Sequence, residues 1–275
     1  MFFLGDICAE PGRKAVEQEL AGLRQGLSAD FVIANAENAA GGYGITPAIA
    51  DALLKAGVGC ITTGDHAYDR KEVWEYLGTE PRILRPFNFP PQAPGRGYGI
   101  YELGQKTKGT EGTKVKVAVV NLQGRVFMKA LDCPFRTALP ALDEIRRETQ
   151  VVFVDIHAEA TAEKQAMGWF LDGRVSAVLG SHTHVQTADE KILTGGTAYL
   201  SDAGMCGSFD SVLGMGKDLS LRRMIEMVPV RLHPATGDVR INGVWVDVEP
   251  ASGRALAIGR LSHPVALAGN QTVAV

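Results

Sequence analysis

The stretch Val178-Leu179-Gly180-Ser181-His182-Thr183-His184 decides how the chain is read. The apolar run Val175 to Leu179 has the length and composition of a buried strand. Gly180 and Ser181 break it, and two histidines follow with one residue between them. In an extended backbone His182 and His184 project to the same side. Imidazole is the commonest neutral metal ligand, so this pair suits one ion or two adjacent ions. Taken alone, His-x-His is equally compatible with two solvated or hydrogen-bonded histidines.

Four other stretches end the same way. Phe2–Leu4 reads as a strand that runs into Gly5-Asp6, and Phe31–Ala34 runs into Asn35-Ala36-Glu37-Asn38. Val58–Thr62 leads into Gly64-Asp65-His66, and Val151–Ile156 ends at His157. In open α/β sheets, ligands bind beyond the carboxyl ends of strands. An Asp after one strand is ordinarily a turn or cap residue. Five coincident endings, holding four of the six histidines, point instead to one shared site. The donors are carboxylate, amide and imidazole without thiolate, which suits manganese, iron or zinc rather than a structural zinc cage. Asp6, Glu37, Asn38, Asp65, His66, His157, His182 and His184 are more donors than one first-row ion takes. Two ions about 3.5 Å apart would use them, activating a bridging water and clamping the oxygens of an in-line displacement at phosphorus. Phosphoester hydrolysis is the chemistry this predicts.

Composition narrows the class. A chain of 275 residues with 45% hydrophobic and 21% charged residues can bury a full-sized core. A net charge of −3 without a Lys/Arg run argues against an extended nucleic-acid surface, though a small phosphorylated ligand needs none. No apolar stretch has the length of a membrane span. The start Met1-Phe2-Phe3-Leu4 lacks the basic region and cleavage site of a signal peptide, so a cytoplasmic setting is expected. Cys8, Cys60, Cys133 and Cys206 are widely spaced, which argues against a disulfide framework.

The rest of the chain supplies the scaffold. Gly12–Leu27 has helical spacing, and Thr46-Pro47 starts a helix that stops at Gly57. Short helices are expected over Arg70–Leu77, Leu142–Arg147 and Thr161–Leu171. Pro81–Gly99 reads as irregular. Gly99–Leu103 and Val115–Leu122 read as strands joined by a polar, Lys/Gly-rich hairpin. Thr197–Leu200 is a further strand, and Met227–Leu232 with Val239–Val248 reads as a closing antiparallel pair. Residues 1–250 form one expected domain, and 251–275 a tail or partner-binding arm. Mixed sheets with helices outside are expected.

These blocks carry a family likeness. Gly5-Asp6, NAEN (35–38), Gly64-Asp65-His66 and GSHTH (180–184) resemble the successive motifs of the calcineurin-like metallophosphoesterases. The runs NAENAAGGYGIT, VDIHAEATAEKQAMGWFLDGRVSAVLGSHTHVQTAD and SDAGMCGSFDSVLGM are similar to the YmdB-like branch, over Met1 to about Val248. The resemblance implies an α/β fold, a four-layer α-β-β-α sandwich of two mixed sheets flanked by helices. It also implies a two-metal phosphodiesterase acting on small cyclic nucleotides, especially 2′,3′-cyclic ones. Two divalent ions are implied, iron or manganese favoured and zinc compatible. Asp6, Asn38 and His184 would hold one ion, Asp65, His157 and His182 the other, and Glu37 would bridge. His66 would protonate the leaving oxygen. Self-association into a homo-oligomer is also implied. The alternatives are a phosphomonoesterase such as a nucleotidase, and a regulatory protein whose metal site shapes a partner surface. Two positions depart from the pattern. Asp65 stands where the family has Asn, and its extra negative charge implies tighter metal binding than Asp65→Asn would show. Cys8-Ala9 stands where an aliphatic residue and Gly are usual, and Cys8 reads as a small hydrophobe.

Overall fold

The structure is a computed structural model that describes residues 1–104 and 115–267. The chain begins β1 (Phe2–Leu4), β2 (Asp6–Ile7), α1 (Ala9–Gly26), β3 (Val32–Asn35), α2 (Pro47–Ala56), β4 (Cys60–Thr62), α3 (Val73–Thr79) and β5 (Ile83–Leu84). It continues with β6 (Tyr98–Leu103), β7 (Val115–Gln123), α4 (Pro134–Ile145), β8 (Val152–His157), α5 (Thr161–Leu171) and β9 (Ala177–Ser181). It closes with β10 (Lys191–Ile192), β11 (Ala198–Leu200), β12 (Met205–Ser208), α6 (Lys217–Glu226), β13 (Val239–Val248) and β14 (Ala255–Pro264).

Two mixed sheets result. The first has the order β2-β12-β13-β1-β3-β4-β5, with β14 paired to β13. The second has the order β10-β11-β9-β8-β7-β6. In the second, β11, β9, β8 and β7 run parallel, and β10 and β6 close the edges antiparallel.

The period-two alternation of strands builds the layers. In β1, Phe2 and Leu4 pack outward with Val16 and Leu20 of α1 and Leu53 of α2, while Phe3 faces the other sheet. In β7, Val117 and Val119 join Phe3, Ile33 and Phe153 between the sheets, while Ala118 and Val120 face Leu142 of α4 and Met167 of α5. Three apolar cores therefore separate four layers, the expected α-β-β-α sandwich. Because both faces of the central strands are covered, those strands read as unbroken apolar runs.

Helix α2 shows its limits in the sequence. The Thr46 hydroxyl accepts from the Ile49 N–H at 3.4 Å, Pro47 occupies the first turn, and Gly57 ends the helix at φ 115°. A side chain at Gly57 would meet the left-handed penalty, so Gly is the residue that stops the helix there.

Several expectations change. Helix α4 begins at Pro134, well before Leu142, because Pro suits a first turn. Helix α1 begins at Ala9, and α3 begins at Val73 and runs past Leu77. Met227–Leu232 is not a strand; the partner of β13 is β14, registered from Arg240↔Pro264 to Val248↔Ala255. The stretch expected as a tail therefore contributes a ten-residue strand. The polar hairpin turn at 105–114 and the last residues of the expected arm, 268–275, lie outside the described residues.

Candidate metal centre

The sequence-chosen residues converge at the carboxyl ends of the strands of both sheets. Asp6 opens β2, Glu37 and Asn38 follow β3, Asp65 and His66 follow β4, His157 ends β8, and His182 and His184 follow β9. Asp6 is fully buried, and its N–H donates to the Gly204 carbonyl at 2.9 Å. Gly64 lets the Asp65 turn lie flat on His157, since a Cβ there would collide with that imidazole and with Glu37.

His157 Nε2 is the centre of the cluster. It lies 2.8 Å from Glu37 Oε1, 3.2 Å from Asp65 Oδ1 and 3.0 Å from His182 Nδ1. Glu37, Asp65, His157 and His182 each offer one donor atom, all within 4.8 Å of one another. Beside them stand His184 Nε2, 3.8 Å from Asp6 Oδ1, and the Asn38 amide nitrogen, 3.2 Å from the same imidazole nitrogen. Asp6 Oδ1 is buried with no hydrogen-bond partner among the described residues. A buried, unsatisfied carboxylate oxygen is costly. Facing imidazole and amide donors, it fits a divalent cation. The donor set therefore suits the metal that the motif implies.

Electrostatics agree. Burial would disfavour ionisation of Asp65, but the His157 hydrogen bond and the neighbouring imidazoles hold it well below the usual carboxylate range. Burial would also keep His157 neutral, yet Glu37 and Asp65 outweigh it and raise that imidazole well above its ordinary value. Burial pushes the Asp6 carboxyl up to about 6, against the pull of His184 and His157. The cluster thus concentrates negative charge that a cation would compensate.

The geometry of His182 and His184 departs from the extended reading. Both have left-handed backbone, at φ 101° and 64°. His182 consequently turns to His157 and Asp65, and His184 to Asp6, so the two face different halves of the cluster. Left-handed backbone in a residue other than Gly costs of order 1–3 kcal/mol and persists only where the surroundings impose it. Here the restraint comes from Asp202. Its Oδ2 accepts from the Thr183 N–H at 3.0 Å, the Thr183 hydroxyl at 2.8 Å and Lys164 Nζ at 2.6 Å. Its Oδ1 accepts from the Gly204 N–H at 2.8 Å. Lys164 and Asp202 are both about 1% exposed. Asp202 thus holds the peptide between the two histidines rather than either imidazole.

A second buried acid supports His157. Asp155 accepts from the Thr62 and Ser181 hydroxyls at 2.5 and 2.6 Å, and Ser181 Oγ lies 2.9 Å from His157 Nδ1. This chain fixes the ring with Nε2 toward the cluster, as second-layer partners of ligand histidines do. Sequence reasoning passed over Asp155, though its place two residues before His157 puts both on one face of β8. It also passed over Asp69, whose Oδ2 lies 2.8 Å from His66 Nδ1, and Glu159, 3.1 Å from His182 Nε2. His66 stands outside the four-donor group; its N–H donates to Glu37 Oε2 at 3.1 Å. Asn121 is structural, donating to the Thr63 and Leu84 carbonyls. Cys8 is buried, and burial pushes its thiol up to about 12, so it behaves as a small apolar residue. A cavity of about 810 Å³ opens over the cluster, lined on its floor by Glu37, Asn38, His66, His182 and His184.

A layered sandwich that gathers carboxylate, amide and imidazole at strand ends is the architecture of a metallophosphoesterase. The chain belongs to the YmdB-like family: the model described as "YmdB-like protein" matches residues 2–261. It is 41% identical over 261 residues to a 2′,3′-cyclic-nucleotide 2′-phosphodiesterase of Bacillus subtilis, covering 95% of this chain and 96% of that one. Among solved structures it is similar to a hypothetical protein of Thermus thermophilus, with a TM-score of 0.86 and 39% identity, covering 96% and 98% of the two chains. A phosphatase of Mycoplasma pneumoniae matches with a TM-score of 0.86 and 29% identity, covering 96% and 92%. Among the described residues no helix is long and apolar enough to cross a membrane.

Proposed function

We propose that this protein is a two-metal phosphodiesterase that hydrolyses small cyclic nucleotides, 2′,3′-cyclic ones by preference. The observation that carries the reading is the meeting of Glu37, Asp65, His157 and His182 within 4.8 Å, with Asp6, Asn38 and His184 beside them. In this reading Asp65, His157 and His182 would hold one divalent ion and Asp6, Asn38 and His184 the other, with Glu37 placed to serve both. Two such ions, iron or manganese by preference, would supply a water deprotonated near neutral pH and charge compensation at the phosphoryl oxygens.

The chain's own groups do the rest. By holding both ions at the floor of the cavity, these residues would set where the phosphoryl group lies. The oxygen of water adds to phosphorus as the bond to the ribose 2′-oxygen breaks, leaving a 3′-phosphate monoester. His66 donates the proton that the leaving oxygen needs. Asp69, hydrogen-bonded to Nδ1, keeps the ring oriented, with Nε2 on the Asp65 side, 3.8 Å from its Oδ2, available for that transfer. The relative from Bacillus subtilis, named for this activity, supports the substrate class. The four cysteines are unpaired, which supports a reducing, cytoplasmic setting. Self-association into a homo-oligomer belongs to the same proposal.

The test is metal analysis joined to a substrate panel of 2′,3′- and 3′,5′-cyclic nucleotides, a generic diester and monoesters, with manganese, for the native enzyme and His66→Ala. Two metals per chain and fastest turnover of 2′,3′-cyclic nucleotides are expected. Preference for monoesters would move the assignment to a nucleotidase. A metal-loaded enzyme that cleaves no ester would leave only the regulatory-protein reading.

A further inference from the structure

The cavity has a polar floor and an unlike side wall. Helix α6 turns Ser220, Arg223 and Met224 to it, positions i, i+3 and i+4 on one face of the helix, and Met227, the residue that caps its C-terminal end, lines the cavity beside them. Leu221 and Ile225 fall on another face and do not line it. On the Gly-rich loop, Tyr43 lines the same cavity, its ring 5.2 Å from that of His66 and nearly perpendicular to it at 78°. The loop is pinned: Arg70 Nε donates to the Tyr43 carbonyl at 3.0 Å and Arg70 Nη2 to the Ala40 carbonyl at 2.5 Å. Tyr43 is nevertheless 43% exposed, an aromatic ring held at the rim with one face open.

In-line displacement sets where a substrate extends. The phosphorus lies over the donor floor and the leaving oxygen beside His66. The organic group on that oxygen must then occupy the remaining cavity, whose surfaces include the Tyr43 ring, Met224 and Met227, with Leu213, Met215 and Leu232 completing an apolar lining. Thioethers and aromatic rings gain little from a hydrated alcohol but pack well on a flat π-system. Arg223 lines this face, and its charge suits an anionic ligand better than a second apolar helix.

We propose that Tyr43, Met224 of α6 and Met227 at its C-terminal cap form a base-recognition wall, so that the enzyme selects cyclic phosphates bearing a nucleobase. The inference rests on the phosphodiesterase reading above. The test compares kcat/KM for 2′,3′-cyclic AMP and for glycerol 1,2-cyclic phosphate, which has the same five-membered cyclic ester and no base. The native metal-loaded enzyme is set against Tyr43→Ser and Met224→Ser, both exposed positions where folding is not at risk. The native enzyme should prefer the nucleotide, and the ratio of the two kcat/KM values should fall about tenfold in each variant, through KM. Damage to the chemical step cancels in that ratio. A native enzyme without the preference, or an unchanged ratio in both variants, overturns the wall. So does a change of oligomer size by light scattering with the ratio intact, which would make α6 a contact between copies. Hydrolysis of neither ester would instead remove the phosphodiesterase reading itself.

Discussion

The His182–Thr183–His184 turn and helix α6 face each other's cavity yet are built in opposite ways. Beneath the turn, buried Asp202 collects hydrogen bonds from half-buried Thr183 and from buried Gly204 and Lys164. Of α6, Ser220 alone is buried, and Ile225 is 78% exposed. The floor must hold charged donors at fixed separations, and that requires a second layer of partners. A wall that receives a variable organic group needs surface rather than precision, and methionine supplies adaptable surface.

Four single variants, one of them paired with a compensating double variant, would break or sharpen this contrast. The largest effect is expected from His66→Ala on the floor: kcat for a cyclic nucleotide should fall by about 10²–10⁴ while metal content by elemental analysis stays the same. Loss of metal instead would make His66 a ligand. Lys164→Met leaves the Asp202 charge buried and unpaired, and urea denaturation should show a loss of about 3–5 kcal/mol. Lys164→Met combined with Asp202→Asn should recover part of it; a single variant as stable as the native protein would show that the turn needs no support. Asp155→Asn acts one step further from the cluster, and calorimetry should show about 10- to 100-fold weaker metal binding. Unaltered affinity would mean that Ser181 orients His157 unaided. The smallest effect belongs to the outer face of α6, where Ile225→Ser should change stability by no more than about 0.5 kcal/mol. A larger drop in the melting temperature would mean that this face is covered in solution.

The donors were legible because buried parallel strands write themselves as apolar runs, and a polar residue at the end of such a run stands out. Asp6, His157 and the His182–His184 pair are found that way. What supports them was not legible. Lys164 lies on a helix whose sequence looks amphipathic and solvated, and only tertiary packing brings it to Asp202, thirty-eight positions later. Helix α6 was missed because its apolar residues point to solvent and cavity rather than to the core. Met227–Leu232 was misread as a strand because an apolar run lining a cavity looks, residue by residue, like one lining a sheet. Strand β14 was hidden by small residues and partial exposure along most of its length.

Strand β13 bears on the order in which the molecule is made. Every donor atom of the cluster has been synthesised once His184 is joined, but the seat of Asp6 is not yet there. Asp6 pairs with Met205 of β12, Gly5 donates to the Asn242 carbonyl, and Phe2–Leu4 lie along Gly243–Trp245. A nascent chain on the ribosome therefore carries all the donors for some sixty residues before it can close the pocket around them. A cation held by this cluster would then be enclosed only after β13 has come to lie beside β1.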